Sequence, residues 1–400
     1  MKLILMGLRQ SVEQSEKEEQ KRLDNDFLIL CDDSLSLKER TKSFVALQNY
    51  YVPNTQFLPT YSNELARLFA LKYESWAEKS YILTNRKGVV RDAVKGCLFG
   101  NALGDATGLA TEFLSKQRIE EYYGPSFTFS PGCSVFPDVH RVSFTPGDWT
   151  DDTDQLILAL ISLLETRGIF DPRNFANKLL DWKEHGFPGL GDSSGCGLGQ
   201  MTKAVLQSSG YALDPITVAM EVWERSGRKN AANGAIMRTA IAGIPFFWDV
   251  GIVEKNAVEM CLTTHADPRC VTSCVIVSRI IALILQEKNN GLTIDIESIL
   301  NTSLERGVKY LTTSEEKEEL VHFTDPTNDL SALCLDEAGK IGFTYKCMGV
   351  GLWALRQAQR GKGFADIIQD ITKEGGDADT NCAVAGALVG AYIGFDQLPQ

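Results

Sequence analysis

From Val89 to the C-terminus, apolar residues recur at the three-and-four spacing of amphipathic helices, and sustained alternation of period two is nearly absent. A chain patterned this way has no run that would fill a sheet core, so the expected fold is all-α. Helices are expected at about 90–104, 153–167, 173–185, 199–208, 215–225, 233–247, 252–263, 267–287, 295–310, 343–360, 364–372 and 380–393, separated by Gly-rich loops. No repeat of fixed period accompanies them.

Upstream the character changes. Residues 9–48 are charge-rich and weakly periodic, whereas 50–85 carry Tyr50, Tyr51, Phe57, Tyr61, Phe69, Tyr73, Trp76 and Tyr81, with helical spacing from about Asn63 to Lys79. The division expected is an accessory segment, 1–88, with an aromatic-rich helical second half that docks on something, and a main domain, 89–400.

Composition narrows the class. The 400 residues are 44% hydrophobic and 23% charged, enough for one large core plus an accessory segment. A net charge of −12 disfavours nucleic-acid backbones as partners. The apolar start Met1–Met6 is too short for a signal sequence and no membrane span is expected, which points to the cytosol or nucleus. The 10 cysteines include no CxxC spacing, and Cys270 and Cys274 lie one helical turn apart, as suits buried thiols in a reducing compartment.

The first helix carries Gly96, Gly100, Gly104 and Gly108 at every fourth position. Each glycine costs about 1 kcal/mol of helix propensity, so a close neighbour must offset it. Close packing is expected at Gly96 and Gly100. At Gly104-Asp105-Ala106-Thr107-Gly108 the helix is expected to break, delivering Asp105 and then Glu112 to a loop, where a carboxylate serves as general acid, base or gate.

Two acidic segments, Thr150-Asp151-Asp152-Thr153 and Asp377-Ala378-Asp379-Thr380, each open into a long apolar stretch. Asp and Thr cap helices, but a cap uses one or two acceptors, and each segment supplies several. Carboxylates and hydroxyls without Cys or His suit Mg²⁺ or Mn²⁺ rather than zinc, in a centre that is expected to be binuclear. Two Gly-rich stretches, 189–199 and Asn230–Arg238, precede helices, where backbone N–H groups bind phosphate or simply form flexible loops. Neither is a Walker or GxGxxG motif. His265, ahead of an apolar helix, is a structural residue or at most a substrate contact.

The ordered set Gly100-x-x-x-Gly104-Asp105-Ala106, Glu112-Phe113, Trp149-Thr150-Asp151-Asp152-Thr153, Asn233-Gly234-Ala235-Ile236-Met237-Arg238, Thr264-His265 and Gly375-Gly376-Asp377-Ala378-Asp379-Thr380 resembles the ADP-ribosylglycohydrolase family over about residues 90–395. The resemblance implies an orthogonal multi-helix fold and two divalent cations, Mg²⁺ or Mn²⁺, with hydrolysis of the bond between ADP-ribose and an acceptor: arginine, serine or a related conjugate. By motif, Thr150, Asp151 and Asp152 would ligate from one side, and Asp377, Asp379 and Thr380 from the other. Gly195, Gly197, Asn233, Gly234, Met237 and His265 would meet the substrate, and Glu112 falls at the family's loop glutamate. The chain departs from the pattern in its first 88 residues and in the Phe127–Pro146 insertion, which bear on substrate identity.

Riboside cleavage passes through an oxocarbenium-like state, favoured by a positioned base or water on one face and help to the leaving group on the other. Glu112 and Asp152 are the candidate acid–base carboxylates. The expected partner is an ADP-ribosylated protein or small conjugate, with no direct nucleic-acid or membrane contact, and the expected state is a monomer. Two other readings stay open: a catalytically silent ADP-ribose binder, since the family includes a lens crystallin, and a metal-dependent hydrolase of phosphoesters.

Overall fold

The computed structural model describes residues 87–399. The expectations for the charge-rich and aromatic stretches upstream lie outside the described residues. Those described form an all-α protein whose bridge pairing is one isolated antiparallel contact, Ala232 with Phe343. The helices in its first half are α1 (Lys87–Gly108), α2 (Lys116–Tyr123), α3 (Asp151–Glu165), α4 (Pro172–His185), α5 (Gln200–Leu206), α6 (Pro215–Arg225) and α7 (Ile236–Thr239). There follow α8 (Val250–Leu262), α9 (Pro268–Asn290), α10 (Ile296–Gly307), α11 (Ser314–Thr324), α12 (Thr344–Gln359), α13 (Phe364–Glu374) and α14 (Ala378–Ile393).

The centre is α9, whose Cys274, Val275, Ile276, Ile280 and Ile284 are wholly buried. By length and composition this helix would cross a membrane, but 83% of its apolar window is buried inside the protein. A second cluster packs α12, α13 and α14 together through Val350, Ile367, Ile371 and Val389. A third, smaller one gathers Ala110, Leu114, Ile119 and Phe129 beside α2.

The glycine stripe determines how the site assembles. A Cβ at Gly96 would overlap the Gly390 carbonyl, at Gly100 that of Gly386, at Gly104 that of Cys382, and at Gly108 that of Ala378. The partner positions fall as the α1 positions rise, so the two helices run antiparallel with backbones in contact along the whole stripe. All four glycines are therefore packing residues, and the expected break at Gly104 does not occur: α1 continues to Gly108. Dispersion along two apposed backbones offsets the lost helix propensity. The same crossing sets the N-terminus of α14, with Asp377 and Asp379, beside the turn that follows α1 and holds Glu112.

Other departures have local causes. The helix expected over 233–247 is reduced to α7 and a 3-10 turn, Ala240–Gly243, and its late start follows from Asn233 being held out of helical geometry. Its N–H donates to Gly342 O (2.9 Å) and its side chain to Asp377 (3.0 Å). Helices α2 and α11 were not expected from periodicity; both are short and mostly exposed, although the Thr313–Glu316 capping box at α11 was written in the sequence.

Candidate active site

The two acidic segments converge. Thr150 caps α3, and its Oγ1 lies 3.2 Å from Asp379 Oδ2 and 3.3 Å from Asp152 Oδ2. Oxygens of Glu112, Asp377 and Asp379 lie within 4.8 Å of one another. Thr150, Asp151, Asp152, Asp379, Thr380 and Glu112 are all buried, and Asp377 is half-buried. Capping alone does not account for the cluster, since Asp152 Oδ1 and Asp379 Oδ1 are buried without a hydrogen-bond partner among the described residues. Burial, then the neighbouring carboxylates, pushes Asp151, Asp152 and Asp379 well above the usual carboxylate range. A divalent cation would supply both the missing partners and the missing positive charge, and an oxygen-only donor set fits Mg²⁺ or Mn²⁺.

The supporting frame was only partly anticipated. Asp105 is a buried residue of α1, not a loop carboxylate: it accepts from Thr150 N (3.0 Å) and Oγ1 (2.9 Å), and from Thr153 N (2.9 Å) and Oγ1 (2.6 Å), fixing the start of α3. Gln155 Nε2 donates to Asp151 Oδ2 (2.6 Å), and Arg238 in turn donates to Gln155 (2.5 Å), Gly234 O (3.0 Å) and Thr264 Oγ1 (2.6 Å). Asp154 accepts from the indoles of Trp149 (2.8 Å) and Trp182 (2.9 Å).

Of the expected substrate residues, those of the Gly-rich loop and Asn233 border the acidic segments. A Cβ at Gly197, whose φ is +90°, would meet Asp151 Oδ1 at 2.6 Å, and one at Gly195 would meet the Trp182 ring at 2.8 Å. Asn233 is bound to Asp377, and Gly234 lies over His265, whose Cε1 a Cβ there would meet at 3.0 Å. His265 and Met237 are themselves buried, at 1% and 3% exposure, so both sit behind the surface of the site. Burial, with Arg238 nearby, lowers the His265 pKa to about 3, leaving a neutral ring hydrogen-bonded to Thr264.

Glu112 stands in the turn after α1, and burial, with the Asp377 charge, raises its pKa. The next residue, Phe113, has φ +62°, held there by Phe113 N to Gly376 O (2.6 Å) and Gly376 N to Leu114 O (2.9 Å). His140 hydrogen-bonds Glu112 Oε2, and Arg141 donates to Glu112 O and, from Nε, to Ala110 O (3.0 Å). Neither residue was anticipated; the available signal was a His-Arg pair within the Phe127–Pro146 insertion.

Residues 86–400 match the sequence profile of the ADP-ribosylglycohydrolase family. The chain is 29% identical over 303 residues to an uncharacterized protein of Archaeoglobus fulgidus, covering 76% of this chain and 88% of that one. It is 25% identical to an ADP-ribosylarginine hydrolase of Pseudomonas putida (77% and 72% covered) and 24% identical to the ADP-ribosyl-[dinitrogen reductase] glycohydrolase of Rhodospirillum rubrum (78% and 89%). A solved ADP-ribosylglycohydrolase-related protein complex shares the fold with a TM-score of 0.51 at 24% identity, over 78% of this chain and 90% of that one.

Proposed function

The chain belongs to the ADP-ribosylglycohydrolase family, and we propose that it is a divalent-metal-dependent hydrolase cleaving the bond between the distal ribose of ADP-ribose and an acceptor side chain, arginine first among the candidates. Arginine is favoured because it is the linkage that the Pseudomonas putida relative is named for. The observation that carries the metal reading is the pair of buried, unpartnered oxygens, Asp152 Oδ1 and Asp379 Oδ1, where the two acidic segments meet.

Thr150, Asp151 and Asp152 would hold cations from the α3 side, and Asp377, Asp379 and Thr380 from the α14 side. Two ions match that number of donors. Bound there, Mg²⁺ or Mn²⁺ would supply the Lewis acidity that orients ribose hydroxyls and lowers the pKa of water. The Gly195–Gly197 loop, where a Cβ at Gly197 would meet Asp151, is the stretch we assign to the diphosphate, and the Asn233–Gly234 turn beside Asp377 is the one we assign to the ribose. Hydrolysis breaks the bond from the anomeric carbon to the acceptor, adds a water oxygen to that carbon and returns a proton to the acceptor. Glu112 is the group we assign to that proton, because its carboxylate stands on the turn after α1 at the edge of the acidic cluster, beside Asp377 and Asp379. Asp152, buried and hydrogen-bonded by Thr150 Oγ1, which also meets Asp379, is better placed for ligation than for proton transfer.

Incubation with arginine- and serine-linked mono-ADP-ribosylated peptides plus Mg²⁺ tests the reading, with products separated by chromatography. The expected products are free ADP-ribose and the unmodified peptide. Release of inorganic phosphate in place of ADP-ribose, or no product from either peptide, would overturn it.

A further inference from the structure

Glu112 is presented by the turn that follows α1, directly before a residue with positive φ, and its carboxylate oxygen lies within 4.8 Å of those of Asp377 and Asp379. A glutamate side chain with several rotatable bonds on such a turn would sample several orientations unless something held it. The segment Asp138–Phe144 supplies that hold. Arg141 grips the main chain at Glu112 O and Ala110 O, and is itself fixed by Asp138, which accepts from its backbone N (2.9 Å) and its guanidinium. His140, the next residue along, takes the carboxylate at Oε2. Its ring is kept in orientation by Phe113, at 5.0 Å between centroids, and Phe144, at 5.5 Å edge-on. Main chain and side chain of one glutamate are thus fixed by two consecutive residues of the Phe127–Pro146 insertion.

We propose that His140 is a positioning residue for Glu112: its imidazole fixes the carboxylate in the orientation from which it serves the acceptor, while Arg141 fixes the turn beneath. The proposal rests on the assignment of proton transfer to Glu112. It makes the insertion part of the catalytic apparatus, in addition to any part it has in choosing substrates. Because the ring is partly exposed, replacing it leaves the core intact.

The experiment measures kcat and KM on the arginine-linked peptide for wild type, His140→Ala, His140→Gln, Glu112→Gln and the double variant His140→Ala/Glu112→Gln. His140→Ala is expected to lower kcat by about 10-fold or more with KM within about twofold, the size of loss typical when a supporting partner of a site residue is removed. His140→Gln, whose amide N–H reaches the same carboxylate, is expected to recover most of the loss. The double variant is expected to be no slower than Glu112→Gln alone, since the histidine acts through the glutamate. Wild-type kcat in His140→Ala, or losses that multiply in the double variant, would overturn the proposal. Independently of turnover, the ¹⁵N resonances of the His140 ring are expected to move in Glu112→Gln without substrate. Unchanged resonances would also overturn it, whereas shifted resonances in a protein that releases no ADP-ribose would count against the reading of function alone.

Discussion

A buried carboxylate oxygen without a donor is costly, and this protein places two of them, on Asp152 and Asp379, at one junction. Asp151→Asn/Asp379→Asn removes two buried carboxylates, each pressed by neighbouring carboxylates, so in metal-free buffer the variant should melt no lower than wild type, with an unchanged helical circular dichroism spectrum. Only wild type should gain stability on adding Mg²⁺, since only it binds the ion; differential scanning calorimetry with and without Mg²⁺ checks both statements. Glu112→Gln should lower turnover by about 10²-fold with little change in melting temperature, as for a proton-transfer group. A melting temperature falling in step with activity would identify Glu112 as a packing residue instead. His265 bears on pH dependence. The unfolded chain takes up a proton near 6.5, whereas the folded protein keeps this ring neutral down to about 3, so the stabilisation is complete above 6.5 and is lost as pH falls through that window. The drop in urea midpoint from pH 7 to pH 5.5 should therefore be smaller in His265→Gln than in wild type. Comparing the two proteins cancels the carboxylate cluster, whose raised pKa values act in the opposite sense. At this scale the two acidic segments were legible in the sequence because oxygen donors cluster within four positions. Asp105 was singled out but expected on a loop, and His140 and Arg141 were missed, because what matters about each is a partner far along the chain, which no local pattern encodes.

Between elements, the antiparallel crossing of α1 and α14 joins fold to chemistry. Gly386→Ala would drive a Cβ into the Gly100 carbonyl, and backbone on both sides leaves nothing flexible to yield. The expected loss is about 1–3 kcal/mol, outweighing the helix-propensity gain of about 1 kcal/mol. Mg²⁺-dependent stabilisation should weaken in the same variant, because the crossing carries Asp377 and Asp379 to Glu112. Gly88→Ala, with nothing within 4 Å of the added carbon, is the control and should be neutral or stabilising. Chemical denaturation of the two variants separates a packing stripe from a run of dispensable glycines. Helical periodicity revealed most of the helices because their apolar faces are long. It overextended the 233–247 helix, since the hydrogen bonds that stop Asn233 from joining it come from Gly342 and Asp377. The glycine spacing itself was visible, but its extension through Gly104 and Gly108 depends on Cys382 and Ala378, whose small facing backbone only the tertiary fold supplies.

For the molecule as a whole, all described core clusters lie within residues 93–398, inside the stretch that matches the family. Deleting residues 1–85 is therefore expected to leave hydrolysis of a small arginine-linked ADP-ribose substrate in place. It is also expected to lower melting temperature or solubility, because the aromatic run from Tyr50 to Tyr81 reads as a segment that buries apolar surface at about 25 cal/mol per Å². An unchanged melting temperature would show that this run contributes nothing to the folded domain. The central claim is that two acidic segments brought together by a helix crossing make a metal-dependent ADP-ribosyl hydrolase. Its most direct test is the rate of ADP-ribose release from an arginine-linked peptide by chelator-treated protein, before and after Mg²⁺ is restored, in wild type and Asp379→Asn. Wild type should fall silent and recover while Asp379→Asn stays silent throughout; full-rate release by the chelated wild type, or recovery of the variant, would contradict the account.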